Sequence, residues 1–552
     1  MTNTKGCIAS VYHLTDDHTP DFYIVKKCPH TRVTTILENE VEEWHALTPV
    51  VIDAPVGLGK STFVREVLYP RARSHGKNIV VVNNRSALTA QQKKDFLKQV
   101  QSEYLRILSE KGIAEQKIFD DIAIVTYQGL VSFLNDPANK EWINQVEYVI
   151  ADELHFFASD ASFNYNCDLI LRTLIRAFSK AVRVYMTATP WDMLYPLSKA
   201  EETFYSNISE GHFCIANHVF RPPRRGILYH FERDFSDYSL RFFEKTEEII
   251  EKILADKKEK WLIFIDRKDR LLDISSGLSD KPNYLDADQK ETPIFEKLVQ
   301  EERFDGQVLI STSVIDCGIN IVDENLKNIV IFSDDRTALM QMAGRKRLRD
   351  GDTITLWIHT PSEKALTKQK NRYNVFLDFE EEYTNRLEQL ELAPKRPYQA
   401  FHDLIIKIWN HPCIELRNLF QVTGNRVHKN ELAFFKMHRK VDFYNNILSG
   451  KTTFQREVED WFGKPHTDCN TALNALDLFY ENHFKQFLDS KEQDALRELV
   501  ILAYKETGKT QARTDRNDTI GAIALNNLLV EINSQYRVER INSQFWGLFK
   551  NN

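Results

Sequence analysis

The sequence predicts an α/β protein with two successive parallel-sheet lobes and a helical C-terminal domain. Short, continuously apolar runs rich in β-branched residues recur through the first two thirds of the chain, separated by helix-length segments. Such runs are typical of strands that are buried on both faces of a parallel sheet. From about residue 361 the runs nearly disappear, and long segments with 3.6-residue apolar spacing, such as QDALRELVILAYKE, predict helices instead.

Nine apolar runs divide between the two lobes. The first five are PVVIDA, KNIVVVNN, IAIVTY, VEYVIADE and VRVYMTAT, and they end near Pro190. The other four begin near Trp261 and are KWLIFID, QVLISTS, NIVIFSD and TITLWIH, after an irregular stretch that contains RPPRRG. The expected boundaries are an N-terminal lead over 1–40, a first lobe over 41–200, a linker over 201–225, a second lobe over 226–360 and the helical domain over 361–552.

Composition excludes several classes of protein. The chain has 552 residues, 42% of them hydrophobic and 27% charged, which is typical of a multidomain globular protein. Its net charge of -7 excludes histone-like binding, although a local basic groove could still hold nucleic acid. The seven cysteines include no CxxC pair, so we expect neither zinc ribbons nor disulfide frameworks. Without a run of about 18 apolar residues, we expect no membrane association and a cytoplasmic location.

A glycine-rich loop follows the first strand-like run and precedes the helical segment TFVREVL. Small residues let backbone N–H groups turn inward around a phosphate at a helix N-terminus, where the helix dipole adds attraction. In the phosphate-loop pattern, the lysine reaches the β- and γ-phosphates and the serine hydroxyl binds Mg²⁺. The pattern is met, with Ala in place of its first Gly, by Ala54, Pro55, Val56, Gly57, Leu58, Gly59, Lys60, Ser61 and Thr62.

A second match to the same pattern spans residues 503–510, AYKETGKT. It follows a helical segment, DALRELVILAY, and its loop positions are large or charged where a phosphate loop requires small residues. We therefore interpret it as a helix terminus and expect no nucleotide there.

Acidic residues follow the fourth strand-like run. Asp152 is expected to hold Mg²⁺, and Glu153 to orient and deprotonate an attacking water. His155 completes the sequence Asp-Glu-Leu-His. By itself, an acidic pair after a strand is more often part of a solvated turn. The phosphate loop that precedes it in the chain is what favours a nucleotide site here, with ATP and Mg²⁺ as cofactors.

The ordered motifs resemble those of superfamily 2 helicases and translocases with a DExH signature, over roughly residues 45–360. That resemblance implies two tandem RecA-like P-loop domains. It also implies that Thr187, Thr189 and His155 couple the ATP state to the nucleic-acid state. The further motifs that carry the resemblance are VVVNNRSALTAQ (80–91), IVTYQGL (124–130), TAT (187–189), LIFID (262–266), TSVIDCGIN (312–320, with Gly318 and Asn320 assigned to the nucleotide side) and QMAGRKRLR (341–349).

The last of these motifs brings positive charge to the γ-phosphoryl group, a task that suits arginine because it stays ionised and offers several donors. By resemblance Gln341 and Arg345 belong to the catalytic set. The usual second arginine falls on Leu348, so Arg347 or Arg349 must replace it, and we favour Arg347. A solvated basic helix face is the alternative interpretation of this run.

The resemblance also places nucleic acid across the opposite edge of the lobes, mainly in contact with its phosphates. The candidate contacts are Arg85, Thr126, Gln128 and Thr312. The first glutamine of the chain is Gln91, so the upstream adenine-reading glutamine of DEAD-box proteins is missing and strict ATP selectivity is not assured. The motifs look closer to DNA-type members, which favours DNA over RNA.

Two other functions share these motifs. A translocase or remodeller would hydrolyse ATP along duplex without separating strands. An ATP-gated sensor would instead recruit an effector protein through the helical C-terminal domain. Aromatic residues in that domain, such as those of QFWGLF (544–549), could stack on bases, but packing in a core is the more common role of such residues.

Overall fold

The computed structural model describes residues 8–9, 22–84, 86–100, 102–164, 166–210, 226–255, 257–286, 292–312, 319–349, 351–392, 397–423, 426–466, 476, 479–480, 483, 487–506, 521–532, 534, 536–542 and 545–550. All nine apolar runs contain strands, and these lie in two sheets as predicted. The α/β class with two tandem RecA-like lobes is therefore confirmed.

The first lobe is built on a nine-stranded sheet in the order β1-β2-β9-β3-β8-β7-β4-β6-β5. Its strands are parallel except for the antiparallel pairs at the two edges, β1–β2 and β5–β6. The strands are β1 (Ile8–Ala9), β2 (Tyr23–Cys28), β3 (Val50–Asp53), β4 (Asn78–Asn83), β5 (Ile118–Phe119), β6 (Ile122–Thr126), β7 (Val146–Ala151), β8 (Val182–Thr187) and β9 (Gly226–Phe231).

Helices cover both faces of this sheet, which is why its central strands are continuously apolar. The segment after the phosphate loop is helical throughout but passes through one π-helical turn, Val64–Leu68. The helices are α1 (Val33–Leu37), α2 (Lys60–Phe63), α3 (Tyr69–Ser74), α4 (Ser86–Gln99), α5 (Tyr104–Ile107), α6 (Glu110–Glu115), α7 (Tyr127–Asn135), α8 (Lys140–Ile143), α9 (Phe156–Asp160), α10 (Cys167–Ala177) and α11 (Leu194–Glu210), with 3₁₀ turns at Val41–Glu43 and Pro137–Asn139.

The second lobe contains a six-stranded parallel sheet in the order β10-β15-β14-β11-β13-β12. Its strands are β10 (Tyr238–Phe243), β11 (Lys260–Phe264), β12 (Asn283–Leu285), β13 (Val308–Ser311), β14 (Leu326–Ile331) and β15 (Ile354–His359). Its helices are α12 (Thr246–Ala255), α13 (Asp269–Gly277), α14 (Pro293–Glu301) and α15 (Arg336–Ala343). Apolar clusters fill both faces of this sheet as well.

The C-terminal region is mainly helical, as predicted, and also contains two small antiparallel sheets that the sequence analysis did not predict. Its helices are α16 (Glu363–Leu392), α17 (Pro397–Asn410), α18 (Ile414–Leu419), α19 (Glu431–Leu448), α20 (Phe454–Phe462), α21 (Ser490–Glu506) and α22 (Ala522–Glu531). The sheets are β16 (Phe420–Thr423) with β17 (Arg426–Lys429), and β18 (Phe487–Leu488), β20 (Trp546–Lys550) and β19 (Tyr536–Arg540) in that order.

Three expected boundaries are wrong. Strand β2 lies in the predicted N-terminal lead and β9 in the predicted second lobe, yet both belong to the first sheet, where β9 pairs with β2 and β3. Strand β9 enters the first sheet at Gly226, where a Cβ atom would lie 2.9 Å from the carbonyl oxygen of Pro49, so this approach requires a glycine. The predicted linker also begins too early, because α11 continues to Glu210, and residues 211–225 lie outside the described residues.

The second phosphate-loop match begins inside α21, where Ala503 is fully buried in an apolar cluster. Residues 507–510 lie outside the described residues. Across the described part of the chain, none of the helices combines the length and the apolar character that a membrane span requires.

Candidate nucleotide site

The phosphate loop lies between β3 and α2, at the carboxyl edge of the first sheet. Its two glycines, Gly57 and Gly59, have φ angles of 99° and 83°, a region that disfavours residues with a Cβ atom. The ends of the loop are fixed by backbone hydrogen bonds from Ala54 N to Thr187 O (3.0 Å) and from Val33 N to Leu58 O (2.9 Å). The backbone therefore has the turned conformation that a phosphate cradle requires.

The Lys60 side chain folds back across this loop. Its Nζ donates hydrogen bonds to the carbonyl oxygens of Ala54 (2.7 Å) and Pro55 (3.3 Å). Burial lowers the pKa of Lys60, and the nearby carboxylates of Glu153 and Asp152 only partly offset this effect. Ser61 and Thr62, in the first turn of α2, are half-buried beside it.

The pKa values of the two carboxyl groups that follow β7, Asp152 and Glu153, are shifted in opposite directions. Burial and the neighbouring Glu153 carboxylate raise the pKa of Asp152 to about 6. For Glu153, burial works against ionisation, but His155, Lys60 and Arg345 outweigh it and hold the pKa at about 2. The backbone of Glu153 is left-handed, with φ at 54°, a conformation that costs free energy for a non-glycine residue.

The Glu153 Oε2 atom is buried and has no hydrogen-bond partner among the described residues. His155 Nδ1 lies 3.2 Å away, close enough for an ion pair but not aligned as a hydrogen bond. A buried, charged acceptor with unused capacity in a site next to Lys60 is what a bound water or metal–nucleotide group would satisfy. The residues present therefore fit Mg²⁺–ATP.

A chain of buried polar side chains runs from Glu153 across both lobes. His155 Nδ1 lies 3.5 Å from Thr187 Oγ1, which accepts a hydrogen bond from Thr189 N (3.0 Å). Gln341 Nε2 in turn donates to Thr189 Oγ1 (3.2 Å), so this contact joins the first lobe to α15 of the second. Arg345 Nη2 then donates to Gln341 Oε1 (2.9 Å).

The three arginines of the last motif point in different directions. Arg345 is buried and also donates from Nε to Gln341 O (2.8 Å) and from Nη1 to Ile319 O (3.3 Å). Arg347 reaches over the phosphate loop, since its Nη1 lies 3.0 Å from where a Cβ on Gly57 would stand. Arg349 is exposed and pairs with Glu324 (2.5 Å). The geometry therefore favours Arg347 over Arg349 as the second arginine.

Leu348, where the usual second arginine would fall, is partly buried and packs against the apolar core of the second lobe. Burial and the nearby Arg345 charge lower the pKa of Arg347. Because its surroundings disfavour the charge of Arg347, the binding of a polyanion such as a phosphate would stabilise that charge.

The candidate nucleic-acid residues are only partly described. Thr126 caps α7 by accepting a hydrogen bond from Gly129 N (3.0 Å), and Gln128 is exposed on the same turn. Thr312 is half-buried directly after β13. Both threonines thus lie at the carboxyl ends of their strands, Thr126 as the last residue of β6 and Thr312 directly after β13. Asn320 is half-buried beside Ile321, whose backbone pairs with Arg345 and Arg347, whereas Arg85 and Gly318 lie outside the described residues.

Two groups of residues around the site were not predicted from the sequence. Gln92 Nε2 donates to Asp152 Oδ2 (3.3 Å), one position beyond the motif that ends at Gln91. Asp53, just before the loop, accepts from His230 Nδ1 (2.6 Å) and Arg233 Nη2 (2.5 Å). The expected boundaries place His230 and Arg233 in the second lobe together with β9, so no sequence signal links them to the phosphate loop.

A known protein family matches the part of the chain that contains the phosphate loop. Residues 30–192 match the family model described as "Type III restriction enzyme, res subunit". No curated protein sequence shows a significant match to the chain. The family match, the ordered motifs and the two parallel-sheet lobes confirm the resemblance to the RecA-like core of superfamily 2, while the DExH subtype stays a prediction.

Solved structures with a similar fold include three helicases. The DEAD-box helicase Mss116, bound to ssRNA and UDP-BeF, is 13% identical with a TM-score of 0.42, covering 80% of this chain and 97% of that one. The DUF1998 helicase MrfA, bound to DNA and AMPPNP, is 15% identical with a TM-score of 0.40 (72% and 59%). Dbp5 of S. cerevisiae, bound to RNA and ADP BeF3, is 14% identical with a TM-score of 0.38 (57% and 80%).

Proposed function

We propose that this superfamily 2 core is a nucleic-acid-dependent ATPase of DExH type that couples ATP hydrolysis to translocation on nucleic acid or to its unwinding, with DNA favoured over RNA. The observation that supports this most directly is the buried polar chain from Glu153 through His155 and Thr189 to Gln341 and Arg345. It links the carboxylate that would handle water to an arginine of the other lobe. Hydrolysis would therefore depend on how the two lobes meet.

Each residue of the site has a distinct role in this proposal. Bound Mg²⁺–ATP would supply the γ-phosphoryl group and a metal ion that neutralises its charge. Lys60 and the loop amides would hold the phosphates, and Ser61 and Asp152 would hold the metal. The Glu153 carboxylate would orient a water molecule and accept its proton. Arg345 and Arg347 would bring positive charge from the second lobe.

The test is ATP hydrolysis measured in parallel with single- and double-stranded DNA and RNA, on the full chain. We expect stimulation by nucleic acid, strongest with DNA, and a loss of ~10²- to 10⁴-fold in kcat for Glu153→Gln, because a positioned general base contributes about that factor. Equal rates of ATP hydrolysis by wild type and Glu153→Gln would contradict the proposal. A strand-displacement assay beside it separates unwinding from translocation alone.

The second arginine has a test of its own. Replacing Arg347 with alanine should lower kcat by ~10³-fold or more, because an arginine that stabilises the charge on the transferred phosphoryl group contributes about that much. Arg349→Ala is the matched control, since that side chain is exposed and pairs with Glu324, and we expect it to keep near wild-type turnover. Loss of activity in Arg349→Ala with activity retained in Arg347→Ala would reverse the assignment.

A nucleotide-gated sensor is the second candidate function. The end of the chain favours it in one respect, because α21, α22 and the three-stranded sheet share a small apolar core of their own. The outer face of α22 exposes Ile523 and Val530 at 82% and 68%, as a surface for a protein partner would. Slow hydrolysis that nucleic acid leaves unchanged would favour this alternative over the motor.

A further inference from the structure

Helix α19 of the accessory region packs into both lobes. Its first half belongs to the same apolar core as the first lobe, through Phe434 and Met437. The helix is also anchored there by a hydrogen bond from Asn430 Nδ2 to Ala161 O (2.8 Å). Its second half, through Phe443 and Ile447, packs against the core of the second lobe. One helix therefore spans the junction between the lobes.

On the first-lobe side, α19 contacts the segment that follows Thr189. Arg439 Nη1 donates a hydrogen bond to Trp191 O (2.7 Å), and the same guanidinium lies 3.9 Å from Asp192 Oδ1. The Phe435 ring stacks on Tyr195, with centroids 5.3 Å apart and an interplanar angle of 9°. These contacts hold the backbone two residues beyond the hydroxyl that Gln341 touches.

On the second-lobe side, α19 contacts the start of the helix that carries Gln341. Lys440 Nζ donates to Asp334 O (2.6 Å) and lies 3.1 Å from Asp334 Oδ1, while Tyr444 OH donates to Asp334 Oδ2 (2.7 Å). Lys436 Nζ lies 2.9 Å from Asp335 Oδ2. Asp335 is also the N-cap of α15, where its Oδ1 accepts from Ala338 N (3.0 Å).

These ion pairs are largely buried and stay ionised. Burial opposes the charge on Lys440, but the Asp334 and Asp335 carboxylates outweigh it and raise its pKa well above the usual range. Burial likewise opposes the charge on Asp335, and Lys436 and Lys440 hold its pKa far below the usual range. Removing one partner would leave a buried charge without its counter-ion, so the contact resists separation.

Direct contacts between the lobes lie beside this helix. Thr337 Oγ1 of α15 donates to Asp192 Oδ2 (3.0 Å). The Trp191 ring lies 3.9 Å from the guanidinium of Arg336 in α15, and within the first lobe it lies 5.0 Å from that of Arg233. The contacts of α19 therefore reach both chain segments that meet where Gln341 contacts Thr189.

We propose that Lys436, Arg439 and Lys440 are positioning residues for ATP hydrolysis, acting by fixing α15 against the Thr189 segment so that Gln341 and Arg345 reach the nucleotide side of the first lobe. This inference rests on the proposed function. It makes turnover depend on the accessory region of the same chain. ATP binding itself should depend on it little, because the phosphate loop lies wholly within the first lobe.

The test compares Lys440→Met with Lys451→Met in the full chain. Lys451 is exposed just beyond the end of α19 and serves as the matched control. We expect Lys440→Met to lower kcat ~10- to 100-fold, because displacing a catalytic group by ~1 Å can cost about 100-fold. Affinity for a fluorescent ATP analogue should change less than about twofold. Unchanged kcat, or equal losses in kcat and in nucleotide affinity, would overturn the inference.

A double-mutant cycle with Asp334→Asn separates positioning from general loss of stability. If both side chains act through one contact, the double variant should lose no more turnover than Lys440→Met alone. Fully additive losses would count against the contact. Melting curves of all variants accompany the kinetics, and a fall in kcat measured well below the melting transition supports positioning.

A measurement that does not require ATP hydrolysis distinguishes a failure of this inference from a failure of the proposed function. If wild type hydrolyses no ATP, the proposed function fails, and small-angle scattering still reports how far apart the lobes lie. We then expect a larger radius of gyration for Lys440→Met than for wild type and Lys451→Met. Equal radii would overturn the role of α19 in holding the lobes together.

Discussion

Replacing Lys60 with alanine is expected to reduce ATP hydrolysis to background. The side chain is the one cation of the phosphate loop itself, and its Nζ stands beside the loop carbonyls of Ala54 and Pro55. Burial already disfavours its charge, so a polyanion that entered the loop would restore a strong interaction that alanine lacks. Loss of one preorganised electrostatic group costs ~10²- to 10³-fold in kcat, and loss of phosphate binding adds to it.

The chain offers a matched control for this prediction in its second phosphate-loop match. Lys509 holds the same place in that pattern but lies outside the described residues, and the match begins in α21 with Ala503 buried in an apolar core. Lys509→Ala should therefore hydrolyse ATP like wild type. Steady-state phosphate release measures both variants, and full activity of Lys60→Ala would remove this loop from the site.

The sequence predicted the central strands but not every member of the first sheet. Continuous apolar runs identify buried parallel strands because each needs apolar side chains on both faces. Strand β9, GILYHF, also has such a run, yet it pairs with β2 and β3 across about 175 to 200 residues of chain. Pairing over such distances depends on tertiary contacts, such as the approach of Gly226 to Pro49, that no local pattern records.

In the candidate site, too, short sequence motifs predicted some residues, whereas residues brought in from distant parts of the chain were not predicted. The sequence named Lys60, Glu153, Gln341 and Arg347, and the structure brings these residues to one junction between the lobes. It did not name the residues that support them, because a side chain such as Arg439 contacts Trp191 from a helix almost 250 positions away. Supporting contacts of this kind depend on how a helix packs against a distant segment of the chain.

The first lobe has a buried ion pair for which we expect the largest effect on stability. Arg183 and Glu201 are both fully buried, with Nε to Oε1 and Nη2 to Oε2 distances of 2.9 Å. Arg183 Nη1 also donates to Ala46 O (3.0 Å) and Phe178 O (3.2 Å), and Tyr185 OH donates to Glu201 Oε1 (2.7 Å). If either Arg183 or Glu201 is removed, the buried charge of the other is left without its counter-ion.

Glu201→Ala should therefore destabilise the first lobe by ~3–5 kcal/mol, the usual cost of leaving one partner of a buried ion pair without its counter-ion. Glu202→Ala is the matched control, because that side chain is 44% exposed and its pair with Lys199 is worth at most ~1 kcal/mol. Hydrogen exchange of β8 peptides measures the effect locally, since a chain with several cores need not unfold in two states. Equal protection of β8 in the two variants would contradict the prediction. Because β8 ends at Thr187, faster exchange in Glu201→Ala should be accompanied by lower ATP turnover, which would connect the stability of this buried pair to the polar chain that joins the lobes.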